Sequence, residues 1–319
     1  MDKPNKQYMS ILEHMGIDRK KAESIIKNAE DYYLSYPIKK SDKRKMRWID
    51  APLGKLKEYQ YTILYKFLYN FAVHDNAVGF KVGCNVKDGA NRHLGNKVLL
   101  TMDISNFFNS VKIQYVYRLF SGLAYRYRIK NKMKTSDLTQ KEENQDMQDM
   151  HILCNLLCFK GQLPQGAPTS PAVANLVARP IDTALTKIAD KQGLTYTRYA
   201  DDITLSHPDK DHAIGAYIEV VKKQLSQLHL KVNHKKTRIL RPHRRMTVTG
   251  VVINDKLGVP KYKWRNLRAK LHNLNKNKRS ISEHEYQEIR GYCEWIRNLH
   301  PSRGNQLIAQ LGTIPLRNS

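Results

Sequence analysis

Two adjacent carboxylates, Asp201 and Asp202, occupy the centre of the run LTYTRYADDITLS, Leu194 to Ser206. Like charges side by side repel, so a turn that projects both calls for something cationic to meet them. A hard divalent ion such as Mg2+, which takes oxygen ligands, is the natural candidate. Asp-Asp is also ordinary turn chemistry, and these residues alone leave both readings open. A third acid, Asp103, stands at the end of the apolar run VLLTMDI, Val98 to Ile104. A buried carboxylate is costly without compensation, so Asp103 needs a cation, a set of donors or a raised pKa. Acids this far apart along the chain converge only if their strands lie side by side in one sheet. If they do, the set suits a pair of ions ~3.5–4 Å apart that activate an attacking hydroxyl and stabilise the leaving oxygen of a phosphoryl transfer. A nuclease uses the same physics. A polymerase also needs a nucleotide-positioning loop, cations for a triphosphate and a clamp for the duplex.

The elements that must position these groups can be read from periodicity. Thr195, Thr197 and Tyr199 alternate with Leu194, Tyr196, Arg198 and Ala200, and Ile203 to Leu205 follow, which predicts a β-hairpin with both aspartates in its turn. Val98 to Ile104 reads as a strand buried on both faces, after which Ser105-Asn106-Phe107-Phe108 turns the chain into a helix towards Tyr125. Leu163-Pro164-Gln165-Gly166-Ala167-Pro168-Thr169-Ser170-Pro171 is a stiff loop running into a helix, and a helix N-terminus suits a phosphate or nucleotide. Tyr36 to Pro52 reads as a basic hairpin crowded with Lys39, Lys40, Lys43, Arg44, Lys45 and Arg47. Such cations suit either solvent or a triphosphate. Lys231 to Arg245 carries Lys235, Lys236, Arg241, Arg244 and Arg245 without an acid, which reads as phosphate contact.

The remaining segments read as scaffold. Asp18 caps a predicted helix carrying Ala22, Ile25, Ile26, Ala29, Tyr32 and Tyr33, and Leu56, Tyr59, Ile63, Leu64, Phe67 and Leu68 mark a core helix over 55–71. His93 reads as structural. Arg126 to Asp149 is polar and reads as a surface insertion, partly helical and mobile, followed by a helix with Ile152, Leu153, Leu156 and Leu157. Thr247 to Val252 is a β run with its own turn. Trp264, Leu267, Leu271 and Leu274 form one helical stripe and Ile289, Tyr292, Cys293, Ile296 and Leu299 another, with a Ser282–Glu285 capping box between them and a short last helix around Gln306 to Leu311. From Lys256 onward thirteen basic residues face four acidic ones, so Lys263, Arg265, Arg268 and Lys270 are the cations expected to clamp a duplex.

Composition narrows the partner. The chain has 319 residues, 41% of them apolar, with 55 Lys and Arg against 29 Asp and Glu, a formal net charge of +26. An enzyme of small metabolites gains nothing from that self-repulsion, whereas a polyanion offsets it by releasing counterions. Nucleic acid is therefore the expected partner. No apolar run approaches a membrane span, and Met1 to Asn5 lacks the core of a signal peptide, so no membrane partner and a cytoplasmic location are expected. Cys84, Cys154, Cys158 and Cys293 form no Cys-x-x-Cys pair, and Cys154 and Cys158 read as buried small hydrophobes.

Five of these features, in this order, resemble the reverse transcriptases: Asp103 within DISNFF, the loop LPQGAPTSP, YADD at Tyr199 to Asp202, NHKKT from Asn233 to Thr237, and VTG at Val248 to Gly250. The combination looks like the retron class, bacterial RNA-directed DNA polymerases that make msDNA. It spans about Tyr36 to Leu311, and the N-terminal helix and the polar stretch match least. Retron enzymes carry Asn-Ala-x-x-His upstream of the first catalytic strand; here Gly89 replaces the asparagine while Ala90 and His93 match.

The resemblance implies an α+β right-hand polymerase: a helical arm over 1–35, fingers over 36–97, a palm of antiparallel sheet and helices over 98–255 with a fingers-type helical insertion at about 120–164, and a helical thumb over 256–319. It implies that Asp103 and Asp201 bind two Mg2+ ions, or Mn2+ in their place, with the Ile104 carbonyl assisting and Asp202 as the remaining acid. Phe108 would be the steric gate against a ribose 2′-hydroxyl, Gln165 and Gly166 would line the incoming nucleotide, and Arg47 and Lys45 would hold the triphosphate. Lys235 or Lys236 would meet the pyrophosphate. The implied partners are dNTPs, a cognate structured noncoding RNA and its msDNA product, a host ribonuclease H, and an effector protein in phage defence. DNA would start from the 2′-hydroxyl of an internal guanosine. Two other readings compete: a scaffold that holds msDNA and restrains an effector, and a reverse transcriptase of the group II intron or diversity-generating type.

Overall fold

The computed structural model describes residues 8–39, 46–136 and 138–317. The chain opens with α1 (Ile11–Met15) and α2 (Arg19–Lys27), capped by Ser10 and by the expected Asp18. Helix α2 stops sooner than the spacing predicts. A 3-10 turn over Ala29–Tyr32 follows, and Tyr33 opens β1 (Tyr33–Lys39), because its ring stacks on Phe159 and its hydroxyl bonds to Gln60. Strand β1 pairs antiparallel with β2 (Met46–Pro52), as the basic hairpin requires; Lys40, Lys43, Arg44 and Lys45 lie outside the described residues. Helix α3 (Gly54–Lys66) then buries Leu56, Tyr59, Ile63 and Leu64, with Phe67 and Leu68 buried just beyond it.

After α4 (Val86–Asn91), strand β3 (Val98–Asp103) is buried almost throughout, as its continuous apolar run predicts. The expected helix from Phe108 is broken at Val111-Lys112 into α5 (Phe107–Ser110) and α6 (Ile113–Lys130).

The polar stretch is partly helical, as expected, but part of its charge is buried and not at the surface. Helix α6 extends into it, and α7 (Gln140–Leu157) begins well before the expected apolar helix. Arg128, Asp146 and Asp149 are buried there. Arg128 pairs with Asp146, Tyr8 donates to Asp146 at 3.0 Å, and Asp149 accepts from the Leu12 amide at 2.9 Å and from Arg19. The charges that read as solvated thus fasten the N-terminal arm to the helical hairpin, each satisfied by a partner.

The stiff loop leads into α8 (Ser170–Lys191), then β4 (Thr195–Tyr199) and β5 (Asp202–His207) form the predicted hairpin. Asp201 sits in its turn, and Asp202 is the first residue of β5. A 3-10 turn, α9 (Tyr217–Ser226) and the short β6 (Arg238–Leu240) follow, giving a four-stranded antiparallel sheet in the order β4-β5-β3-β6. Strands β7 (Thr247–Val248) and β8 (Val251–Val252) are joined through Thr249 and Gly250, both at positive φ, the requirement of a tight hairpin turn.

Helices α10 (Lys261–Lys276), α11 (Glu283–Leu299) and α12 (Pro301–Gly312) close a core of their own around Leu267, Leu271, Leu274, Ile289, Cys293, Ile296, Leu307 and Leu311. Three details differ from the sequence reading. Tyr292 is exposed; α12 starts at Pro301; and the capping box is half formed, because the Glu285 carboxylate turns to Lys270 at 3.1 Å. All four cysteines are free, with Cys154 and Cys158 buried as expected. Antiparallel sheets with helices packed outside them make the molecule α+β, as expected. Among the described residues no helix is long and apolar enough to cross a membrane.

Candidate active site

The register of β3 against β5 sets Asp103 directly opposite Asp202. Beyond β3 the chain is stitched on both sides: the Ile104 amide donates to the Asp201 carbonyl at 2.8 Å, and the Asn233 amide donates to the Asp103 carbonyl at 2.8 Å. Asp103 and the distant pair Asp201-Asp202 therefore share one end of one sheet. Ile104 itself is buried and bridges Val232. Between the strands, Ala200 adopts φ +54°, which lets the turn reverse in two residues.

Asp103 is 5% exposed and its Oδ2 accepts from Lys236 Nζ at 2.5 Å. Asp202 is exposed to solvent on one side, with protein packed on the others. Burial, then the charges of Asp201 and Asp103, push its carboxyl up to about 6. Burial also raises Asp201; Asp103 adds to the rise, while Lys236 and Arg47 oppose it. Such shifts mark an excess of negative charge held in a poorly solvated place. Among the described residues no three His, Cys, Asp or Glu side chains have closed into a ready ligand cage. Like charges with a single lysine among them have no reason to converge further. The donor set nevertheless fits a hard divalent cation: oxygen ligands only, and too much negative charge for the cations the chain supplies.

Of the expected nucleotide residues, Arg47 and Lys236 are coupled directly to the acids. Arg47 on β2 is close enough to lower the Asp201 pKa, whereas Lys45 lies outside the described residues. Three residues further along β2, the Asp50 amide donates to the Gln165 carbonyl at 2.8 Å, so the proline-rich loop docks on β2. Gly166 has φ +131°, and a Cβ there would stand 2.8 Å from Ile49 Cγ2 and 3.0 Å from the Asp50 carbonyl oxygen. Only glycine permits that approach. Of the two aromatics after Asp103, Phe107 is buried beneath the Arg198 guanidinium at 5.7 Å, and Phe108 is the half-buried one, free to meet a sugar. Of the two lysines, Lys236 reaches the acids and Lys235 is exposed on the same turn.

The remaining cations divide into two groups. Arg241 donates to the Lys210 carbonyl, Arg245 lies over Tyr262, Lys263 over Trp295, and Lys270 pairs with Glu285. Arg244, Arg265 and Arg268 are exposed.

The residues that hold the site were not foreseen. Arg198 is 1% exposed and makes a two-pronged pair with the fully buried Asp182, at 2.8 and 2.7 Å. Its Nη1 donates to Asn175 Oδ1 at 3.0 Å and to the Ala200 carbonyl at 3.1 Å, so it grips the acidic turn from below. Tyr196 adds a hydrogen bond to Asp182 at 2.7 Å. The signal was present in the alternation, which sets Arg198 on the same face as Leu194 and Tyr196. Behind the hairpin, His93 bonds Ser206 and Thr197, each at 2.7 Å, and burial pushes its pKa down to about 3. A neutral, fully partnered histidine is structural, as expected.

Residues 38–253 match the family model for the reverse transcriptase (RNA-dependent DNA polymerase). The chain is 30% identical over 292 residues to the Retron Ec86 reverse transcriptase of Escherichia coli, covering 91% of this chain and 83% of that protein. It is 31% identical over 276 residues to the Retron Mx65 reverse transcriptase of Myxococcus xanthus, covering 86% of this chain and 63% of that longer one. A looser likeness, with TM-score 0.48 and 12% identity, is to the structure of apo telomerase from Candida tropicalis, covering 94% of this chain and 64% of that one.

Proposed function

The chain belongs to the reverse transcriptases and, within them, to the retron group of RNA-directed DNA polymerases, and from that premise we propose that it copies a cognate structured noncoding RNA into msDNA. The observation that carries this reading is the register that sets Asp103 opposite Asp202, with the Ile104 amide bound to the Asp201 carbonyl.

Reverse transcriptases use divalent metals. Here Asp103, Asp201 and the Ile104 carbonyl would hold two Mg2+ ions, or Mn2+ in their place, with Asp202 completing the set. Bound there, such ions supply charge that activates the attacking hydroxyl and neutralises the leaving oxygen. The chain's own residues do the rest. Arg47 binds the triphosphate of a dNTP, Gln165 and Gly166 orient its base and sugar, and Phe108 excludes a 2′-hydroxyl. As the attacking hydroxyl passes its proton to solvent and forms the new O–P bond at the α-phosphorus, the bond to the bridging oxygen breaks, and Lys236 would give the departing pyrophosphate a proton. The hairpin of β1 and β2 belongs to fingers over 36–97, the four-stranded sheet to a palm over 98–255, and the last three helices to a thumb over 256–319 whose Arg265 and Arg268 hold the duplex.

Priming from the 2′-hydroxyl of an internal guanosine would leave a branched RNA–DNA hybrid, trimmed by a host ribonuclease H and held with an effector in phage defence. The test is to sequence the nucleic acid that copurifies with the protein and to assay Asp201→Asn/Asp202→Asn on it. A branched hybrid, and a variant that binds RNA but makes no DNA, are expected. Robust metal-dependent extension by the variant would remove the site assignment.

A further inference from the structure

Phe80 stands out in a part of the chain that the proposed chemistry does not use. Its backbone adopts φ +57°, a conformation that aromatic residues rarely accept, and the residue is 49% exposed. Neither its own preference nor burial explains that position; the surroundings impose it. The Val78 and Gly79 amides donate to the Arg198 carbonyl at 2.9 and 3.4 Å, and buried Asn175 donates to the Gly79 carbonyl at 2.8 Å. Gly79 is pressed so closely on the acidic turn that a Cβ there would lie 2.6 Å from the Ala200 nitrogen. The result is a backbone held against the acidic turn that sets the ring beside the site's aromatics, with centroids 6.3 Å from Phe108 and 6.0 Å from Tyr199. A strained residue that the fold over-determines is a place to look for function.

Phe108 needs such a neighbour. It stands on α5, a four-residue helix entered through Asn106 at φ +48°, and so short a helix has little rigidity of its own. Phe107 packs on one side of it at 5.6 Å, and Phe80 closes another. We propose that Phe80 is a positioning residue for sugar selection: it holds the Phe108 ring against the incoming nucleotide so that a 2′-hydroxyl meets a wall that cannot swing aside. The proposal rests on Phe108 being the gate. Rejection by steric clash depends on the wall staying in place, so loosening Phe108 admits ribonucleotides more than it harms deoxynucleotides.

The experiment compares kcat/KM for a dNTP and the matching rNTP on one RNA template in the full chain. Phe80→Ala should lower the dNTP/rNTP ratio roughly two- to tenfold, as expected for loss of one aromatic pair, through a gain with the rNTP. Phe80→Tyr should keep the wild-type ratio. A general loss of packing would depress both nucleotides together and leave the ratio where it was. An unchanged ratio in Phe80→Ala, beside a collapsed one in Phe108→Ala, overturns the proposal and leaves the gate standing. An unchanged ratio in Phe108→Ala overturns the gate reading itself. Should Phe80→Ala fail to fold, Phe80→Leu carries the same comparison, and an unaltered ratio there is equally fatal.

Discussion

Arg198 offers the sharpest test of how this fold holds its acids. Arg198→Met keeps the aliphatic stem and removes the guanidinium, leaving the fully buried Asp182 carboxylate with Tyr196 as its remaining donor. Breaking a buried pair by removing one partner costs ~3–5 kcal/mol, because the surviving charge has lost its compensation. The Asn175 side-chain oxygen and the Ala200 carbonyl also lose a donor, which places the expected cost at the upper end of that range. Against a total stability of ~5–15 kcal/mol this is severe. The informative variant removes the charges and the phenol: Arg198→Met, Asp182→Leu and Tyr196→Phe leave only the Asn175 side-chain oxygen and the Ala200 carbonyl without their donor. Replacing buried ion pairs by apolar groups is often neutral, so this variant should recover to within ~1–2 kcal/mol of the native chain. Urea denaturation measures both. If the network served stability alone, DNA synthesis would return with it. The grip of Arg198 on the Ala200 carbonyl predicts otherwise: a stable protein whose kcat stays at least ~10-fold low, since a misplaced turn misplaces the acids. A single variant costing under ~1 kcal/mol would refute the burial argument. Full activity in the stable triple variant would refute the positioning argument.

Three further outcomes follow from the site and the helices beside it. Asp202 is raised to about 6, so its ionised form is disfavoured in the folded chain, and the stability it lends as a neutral acid fades as pH rises from the ordinary carboxylate range through 6. In EDTA, Asp202→Asn should therefore melt higher than the native chain at pH 7.5, with the advantage gone near pH 4; a variant that melts lower at pH 7.5 contradicts the like-charge reading. Gly166→Ala forces a Cβ against Ile49 and the Asp50 carbonyl at a φ alanine resists, so stability should drop by ~1–3 kcal/mol and KM for dNTPs should rise, measured by denaturation and steady-state extension. Arg265→Glu with Arg268→Glu should weaken RNA binding and flatten its log–log salt dependence by ~1.5–2, read by anisotropy against NaCl; an unchanged slope removes the clamp.

What could be read in advance, and what could not, separates along one physical line. Apolar periodicity reports which face of an element is buried, and it located β3, the hairpin of β4 and β5, and the cores of α3, α10 and α11. It is silent about register between strands that are not neighbours in sequence. That Asp103 converges with Asp201 and Asp202 is an inference from chemistry, and the register that brings it about is visible only in the sheet. It is silent again where burial is achieved by charge. Arg128, Asp146 and Asp149 are buried, but each is satisfied by an ion pair or a backbone donor, so the stretch reads as a partly helical surface insertion and only the apolar end of α7 is legible. Arg198 is the same case in a strand, on the apolar face by alternation yet without a partner that α8 alone reveals as Asp182. Lys235 and Lys236 could not be told apart by spacing either. The choice comes from a 3-10 turn that begins after Asn233, whose amide is tied to the Asp103 carbonyl, so that the last lysine of the turn is delivered to the carboxylate. In each instance a charged residue's type is written in the sequence while its effect depends on a partner supplied by another element, and the interior of this site is built almost wholly from such residues. The network of Asp182, Arg198 and Asn175 beneath the turn is accordingly where substitutions that leave Asp103, Asp201 and Asp202 in place should still slow synthesis.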